Sequence, residues 1–141
     1  MKRYILILAL ILSVAGIAAT TNLNTAHAEE DVTSAAYLSK LAKETEKKLN
    51  VPVMVDEETQ LVGIEGFDHE FQYNYLLVNY SSKDLDSAQF AKVMKAQLTE
   101  TVCGKKELKV FLDENIALSF TYKGTDKKMV GKVSITKDMC E

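Results

Sequence analysis

The sequence predicts an α+β domain: about five strands in a mainly antiparallel sheet, in the order helix, three strands, two helices, two strands, with the helices packed on one face. Three observations predict it. The stretch Phe71 to Tyr80 sets Phe71, Tyr73, Tyr75 and Leu77 against Gln72 and Asn74, the period-two pattern of a strand. Residues 33–49 and 86–103 instead repeat apolar side chains at spacings of three and four, as a helix buried by one face requires. The links among the first three strands are too short for crossovers, so those strands pair antiparallel.

The N-terminus reads as an export signal rather than as fold. Lys2 and Arg3 precede an apolar run of sixteen residues, Tyr4 to Ala19, and Ala26-His27-Ala28 offers the small-x-small site of a signal peptidase. The run is shorter than the roughly 20 residues a membrane span needs. Cleavage between Ala28 and Glu29 is therefore expected. No Cys follows closely for lipid attachment, so the mature chain should have no stable membrane anchor. Residues 1–28 form the signal peptide, and residues 29–141 a single small domain in the periplasm or secreted. This mature chain has 15 basic against 20 acidic residues, a net charge of −5.

Within the mature chain, Ala35, Leu38, Ala42, Thr45 and Leu49 share one helical face, and Lys40, Lys43, Glu44, Lys47 and Lys48 the other. Asp31, Thr33 or Ser34 can cap its start. Asn50 suits the left-handed residue that closes a helix, and Pro52 forbids continuation. Val51 to Val55 and Gln60 to Phe67 read as strands joined by a polar turn, with Gly63 marking a bulge or a close backbone approach. Residues 66–70 form the turn into the Tyr-rich strand. The second half of that strand, with Leu76, Val78 and Tyr80, is apolar on both faces and predicts cover on both sides. Asp84 or Asp86 then caps a helix whose Phe90, Val93, Met94, Leu98 and Val102 align, with Gly104 as its stop. Lys106 to Asn115 continues helically, presenting Leu108, Phe111 and Leu112. Ala117 to Gly124 and Met129 to Thr136 make a hairpin. Leu118, Phe120, Tyr122, Met129, Val133 and Ile135 are expected on its buried side, and Ser119 and Thr121 on a wet one.

Two cysteines, Cys103 and Cys140, remain after processing. In an exported chain they predict a structural disulfide, worth about 4 kcal/mol by loop entropy.

The catalytic inventory is thin. His69 is the one histidine of the mature chain, and it lies in the acidic turn Asp68-His69-Glu70, which argues against serine or cysteine triads and the common zinc sites. Asp56-Glu57-Glu58 and the Asp84, Asp86 pair lack the spacing of a calcium loop and read as a turn and a helix cap. Glu65 and Glu70 are carboxylates of the kind a glycosidase pairs, but nothing in the sequence selects them. No phosphate-binding glycine loop and no basic stripe for nucleic acid are present. No cofactor and no metal are expected, and the chain is not expected to be an enzyme.

The helix, the Y-x-Y strand (Tyr73, Tyr75), the helix ending at Cys103, the F-x-Y hairpin (Phe120, Tyr122) and the terminal Cys140 together resemble the β-class pilotins of type II secretion, the AspS-like group. The resemblance implies a small periplasmic α/β protein with one disulfide that binds a helical tail of a secretin and guides it to the outer membrane. The chain departs from the pilotin pattern in having no lipidated N-terminal Cys, so no binding residue is carried over and delivery to the outer membrane is in question. The leading expectation is a non-catalytic periplasmic accessory protein of a secretion, conjugation or other envelope assembly, with another envelope protein or peptide segment as partner. It would be held in an apolar groove beside the first helix or at an open sheet edge. The alternatives are an inhibitor or immunity protein directed at a basic target, and a small hydrolase or ligand binder using a wall of Tyr73, Tyr75, Tyr80 and Tyr122.

Overall fold

The computed structural model describes residues 30–141. The signal-peptide expectation, and with it Ala28 and Glu29, lies outside the described residues. Helix α1 (Ala35–Leu49) is followed by strands β1 (Val53–Met54), β2 (Thr59–Phe67) and β3 (Glu70–Leu77). Helices α2 (Ser87–Gly104) and α3 (Lys106–Asp113) come next, then β4 (Ala117–Lys123) and β5 (Met129–Ile135). The sheet keeps the chain order β1-β2-β3-β4-β5. β3 and β4 run parallel and every other pair antiparallel. The parallel pair follows from α2 and α3, which form the long crossover such a pair needs.

Register places Gly66, Phe71, Leu118 and Ile135 in one row of side chains, and Ile64, Tyr73, Phe120 and Val133 in the next. This face carries the core, and all three helices pack on it. Leu38 of α1 lies over Gly66, the Phe111 ring of α3 lies 5.1 Å from Phe71, and Phe90 of α2 touches Gly131. Tyr73, Phe120, Tyr75 and Tyr122 form a stacked aromatic row at the centre, with neighbouring ring centroids 5.1–6.5 Å apart.

The helix ends follow local chemistry. The Ser34 hydroxyl accepts from the Tyr37 N–H, Asn50 closes α1 at φ 55°, and Asp86 accepts from the Gln89 N–H. Cys103 and Cys140 are bonded, with Cα atoms 5.4 Å apart.

Several expectations are corrected. Val51 to Val55 shortens to the two-residue β1, because the Val51 N–H is taken by the Glu46 carbonyl at the end of α1 and the Val55 N–H already turns back to the Thr59 carbonyl. β3 ends at Leu77, and among the described residues it is covered on one side only; Leu76 and Val78 are half-buried, since no described element packs over the second face. β2 keeps Gly66 and Phe67, as the strand Gln60 to Phe67 expects, so the turn narrows from residues 66–70 to Asp68-His69, with His69 at φ 57°. Gly104 is not a left-handed stop. It is the last helical residue, and Lys105 alone separates α2 from α3.

In β5 a register shift opposite Tyr122 and Lys123 reverses the alternation, so Val130 is buried and Met129 is 50% exposed. The matching irregularity in β2 falls between Leu61 and Gly63, where a bulge was expected. The hairpin's polar side is not wet either: Ser119 and Thr121 are buried, for a reason found on the open face.

Candidate functional site

Side chains on the second face of the sheet come from alternate positions of β2 to β5: Glu65, Gln72, Asn74, Leu76, Ser119, Thr121, Lys123, Met129 and Lys132. Among the described residues no helix covers them. Hydrogen bonds close the polar ones into a network. The Gln72 amide donates to Asn74 Oδ1 (2.8 Å) and to Glu65 Oε2 (3.2 Å). The Asn74 amide donates to Glu65 Oε2 at 2.8 Å, and the Thr121 hydroxyl donates to Asn74 Oδ1 at 2.6 Å. One row away the Ser119 and Ser134 hydroxyls are 2.8 Å apart.

These contacts explain how polar residues stay buried on a face with no second layer. Each satisfies another, which removes most of the cost of leaving water. Lys132 Nζ lies 2.9 Å from Glu70 Oε1. Partial burial alone would raise the Glu70 carboxyl, but the Ser119 hydroxyl and the Lys132 ammonium outweigh it and hold the group below its ordinary value.

Over this floor lies a concavity of about 380 Å³. Val62, Leu76 and Met129 supply its apolar wall, Glu65, Gln72, Asn74 and Thr121 its polar floor, and Lys123 and Lys127 its basic rim. Val62 is exposed because it is the extra residue of the β2 bulge, and Met129 because of the shift in β5. The two irregularities thus put apolar side chains on the outer face that regular alternation would have sent inward.

A second concavity, about 220 Å³, lies beside His69 and the end of α3. There the His69 backbone N–H donates to the Thr33 carbonyl, its carbonyl accepts from the Ala117 N–H, and its Nδ1 lies 3.2 Å from the Asn115 carbonyl. His69 ties the hairpin turn to the start of α1 and to the start of β4.

The remaining residues singled out in the sequence fall as follows. Asp56 turns the chain by accepting from the Glu58 N–H; Asp84 caps a short 3₁₀ turn and Asp86 caps α2. Glu65 and Glu70 both reach the open face, each tied to its own partners. Tyr73, Tyr75 and Tyr122 do not form a shared ligand wall: Tyr75 alone borders the concavity of about 380 Å³, and its side chain belongs to the core. The three are 0–1% exposed in the aromatic row, and burial raises all three phenols well above their ordinary range. Tyr80 is half-buried and donates to Glu58.

Among the described residues no cluster of three His, Cys, Asp or Glu side chains is placed to hold a metal, and no helix is long and apolar enough to cross a membrane. Sequence reading missed Gln72, Asn74, Thr121, Lys123, Lys127 and Met129 as a group. Alternation marks the first three as an outward face, but not their assembly across three strands.

The sequence matches no protein-family model and no curated protein. Solved structures do share the architecture. In fold, the chain is similar to the type II secretion pilotins. AspS of Vibrio cholerae superposes with a TM-score of 0.52 at 15% identity, over 75% of this chain and 94% of that one. EpsS of Vibrio vulnificus gives 0.57 at 10% identity, over 76% and 94%. A secreted-class protein of Pseudomonas aeruginosa gives 0.61 at 14% identity, over 82% of this chain and all of that one.

Proposed function

We propose that this chain is an exported, non-catalytic accessory protein that holds a segment of another envelope protein. The observation that carries the reading is the fold itself: nearly the whole length of two pilotins, proteins of a secretion machine, superposes on this chain. Three features support it. The N-terminal charge, apolar run and Ala-His-Ala site are those of a cleaved signal. A disulfide belongs to an oxidising compartment. An uncovered, partly apolar sheet face is a surface on which a segment can lie. The β5 edge, which has no strand beyond it among the described residues, is a further place for an extended segment to add.

A photo-crosslinking amino acid placed at Met129 or Leu76 in cells tests this. One discrete envelope protein should be captured from the open face, and not from a control at Lys109 on α3. Equal or no capture from the two positions would reject the reading. Intact mass of the exported protein should begin at Glu29.

A further inference from the structure

We infer that the open face is a site for an extended acidic–aliphatic peptide segment, with its carboxylate held by Lys123 and Lys127 and its aliphatic side chain laid on Val62, Leu76 and Met129. The inference deepens the accessory-binding reading and rests on it. Charge decides the first half. The chain is acidic overall, with a formal net charge of −3, yet this concavity is lined by two lysines, Lys123 and Lys127, against one carboxylate, Glu65. The carboxylates of the open face are already engaged, Glu70 by Lys132 and Glu65 by the Gln72 and Asn74 amides. Among the described residues no carboxylate pairs with Lys123 or Lys127, and both border the concavity. An anionic group there gains two ammonium partners at a partly desolvated surface, whereas a cationic one meets like charge.

Exposure decides the second half. Val62 is 42% exposed and Met129 50% exposed, with half-buried Leu76 at the same concavity. They offer a greasy patch within reach of the same two lysines, and covering it removes apolar surface from water. The floor fixes the rest. Gln72 and Thr121 are at least nine-tenths buried and locked by their hydrogen bonds, so the surface is pre-organised rather than soft. About 380 Å³ stands at the small end of ligand sites, roughly 300–1,000 Å³, which suits a few residues of extended chain and not a folded domain.

The test is a pair of peptides, acetyl-Asp-Leu-Val-amide and its Asn analogue, titrated into the ¹⁵N-labelled, disulfide-bonded protein. The Asp peptide should shift the amides of Gln72, Asn74, Thr121 and Lys123, with the Asn peptide weaker by about fivefold. The double variant Lys123→Gln/Lys127→Gln should lose that preference while keeping its own fold, as its unchanged core resonances would show. Equal binding of the two peptides, shifts confined to the helical face, or no shifts at all would overturn the acidic-segment assignment. Capture of an envelope protein from Met129 would still uphold the accessory reading, so the two fail separately.

Discussion

Asn50 holds φ 55° and ψ 46°, and its N–H reaches back to the carbonyls of Glu46 and Lys47 to end α1. A Cβ is strained there in most residue types, Asn being among the tolerated ones. Asn50→Ala should therefore cost about 1 kcal/mol and Asn50→Gly little, as urea denaturation would show. The role was legible because Asn stands between a lysine-rich helix end and Pro52. The tyrosines were legible only in part. Alternation showed that Tyr73 and Tyr75 share a face, but their burial depends on three helices arriving from distant sequence. Their hydroxyls and that of Tyr122 have no hydrogen-bond partner among the described residues. Tyr75→Phe should keep the ring stacking and leave stability unchanged or raised by about 1 kcal/mol. The same burial sets an alkaline limit. The folded phenols ionise far above the unfolded value of about 10, so the unfolded chain releases protons first as pH rises. Stability is full below pH of about 10 and falls above it. The part of the tyrosinate absorbance due to these three phenols should appear together with loss of circular dichroism, not before it.

At the scale of elements, α1 both covers the core and protects an edge. β1 pairs with only two residues of β2, which leaves the rest of that strand's outer edge unpaired. The Glu46 carboxylate accepts from the Ile64 N–H at 2.7 Å, and the Ser39 hydroxyl donates to the Gly66 carbonyl at 2.9 Å. A helix thus caps the exposed ladder groups that would otherwise recruit another strand. Gly66 permits the approach, since a Cβ there would lie 2.1 Å from the Leu38 carbonyl carbon. Gly66→Ala should destabilise the domain by about 3 kcal/mol in thermal or urea unfolding, because helix backbone must move. Gly104 behaves oppositely. It is helical with open space where a Cβ would go, so Gly104→Ala should stabilise by about 0.5–1 kcal/mol. Read as letters, the two glycines promised the reverse, one in a turn and one as a stop. Local sequence does not reveal what approaches a residue from elsewhere in the chain.

For the whole molecule, the disulfide links the end of α2 to the 3₁₀ turn after β5, across 37 positions of sequence. It closes α3 and the terminal hairpin into one loop anchored on the end of α2. Reduction, or the variant Cys103→Ser/Cys140→Ser, should lower stability by about 4 kcal/mol. Denaturation with and without reductant should show the loss, which vanishes in the double variant. Among the described residues all three α-helices lie on one face and leave the other to a polar network. That asymmetry, more than any single residue, is what the proposed binding role draws on.

The sequence by itself determined the element types and order, the caps at Asn50 and Asp86, the inner faces of β3 and β4 and the pairing of two cysteines. Each depends on periodicity, on residue chemistry within a turn or two, or on the count of thiols. Only the tertiary structure decided that β3 and β4 run parallel, that Met129 and Val62 point outward, and that Gln72, Asn74 and Thr121 meet beside Lys123 and Lys127. Those facts arise from register between strands tens of residues apart, where one extra residue in a strand reverses which side every later residue faces.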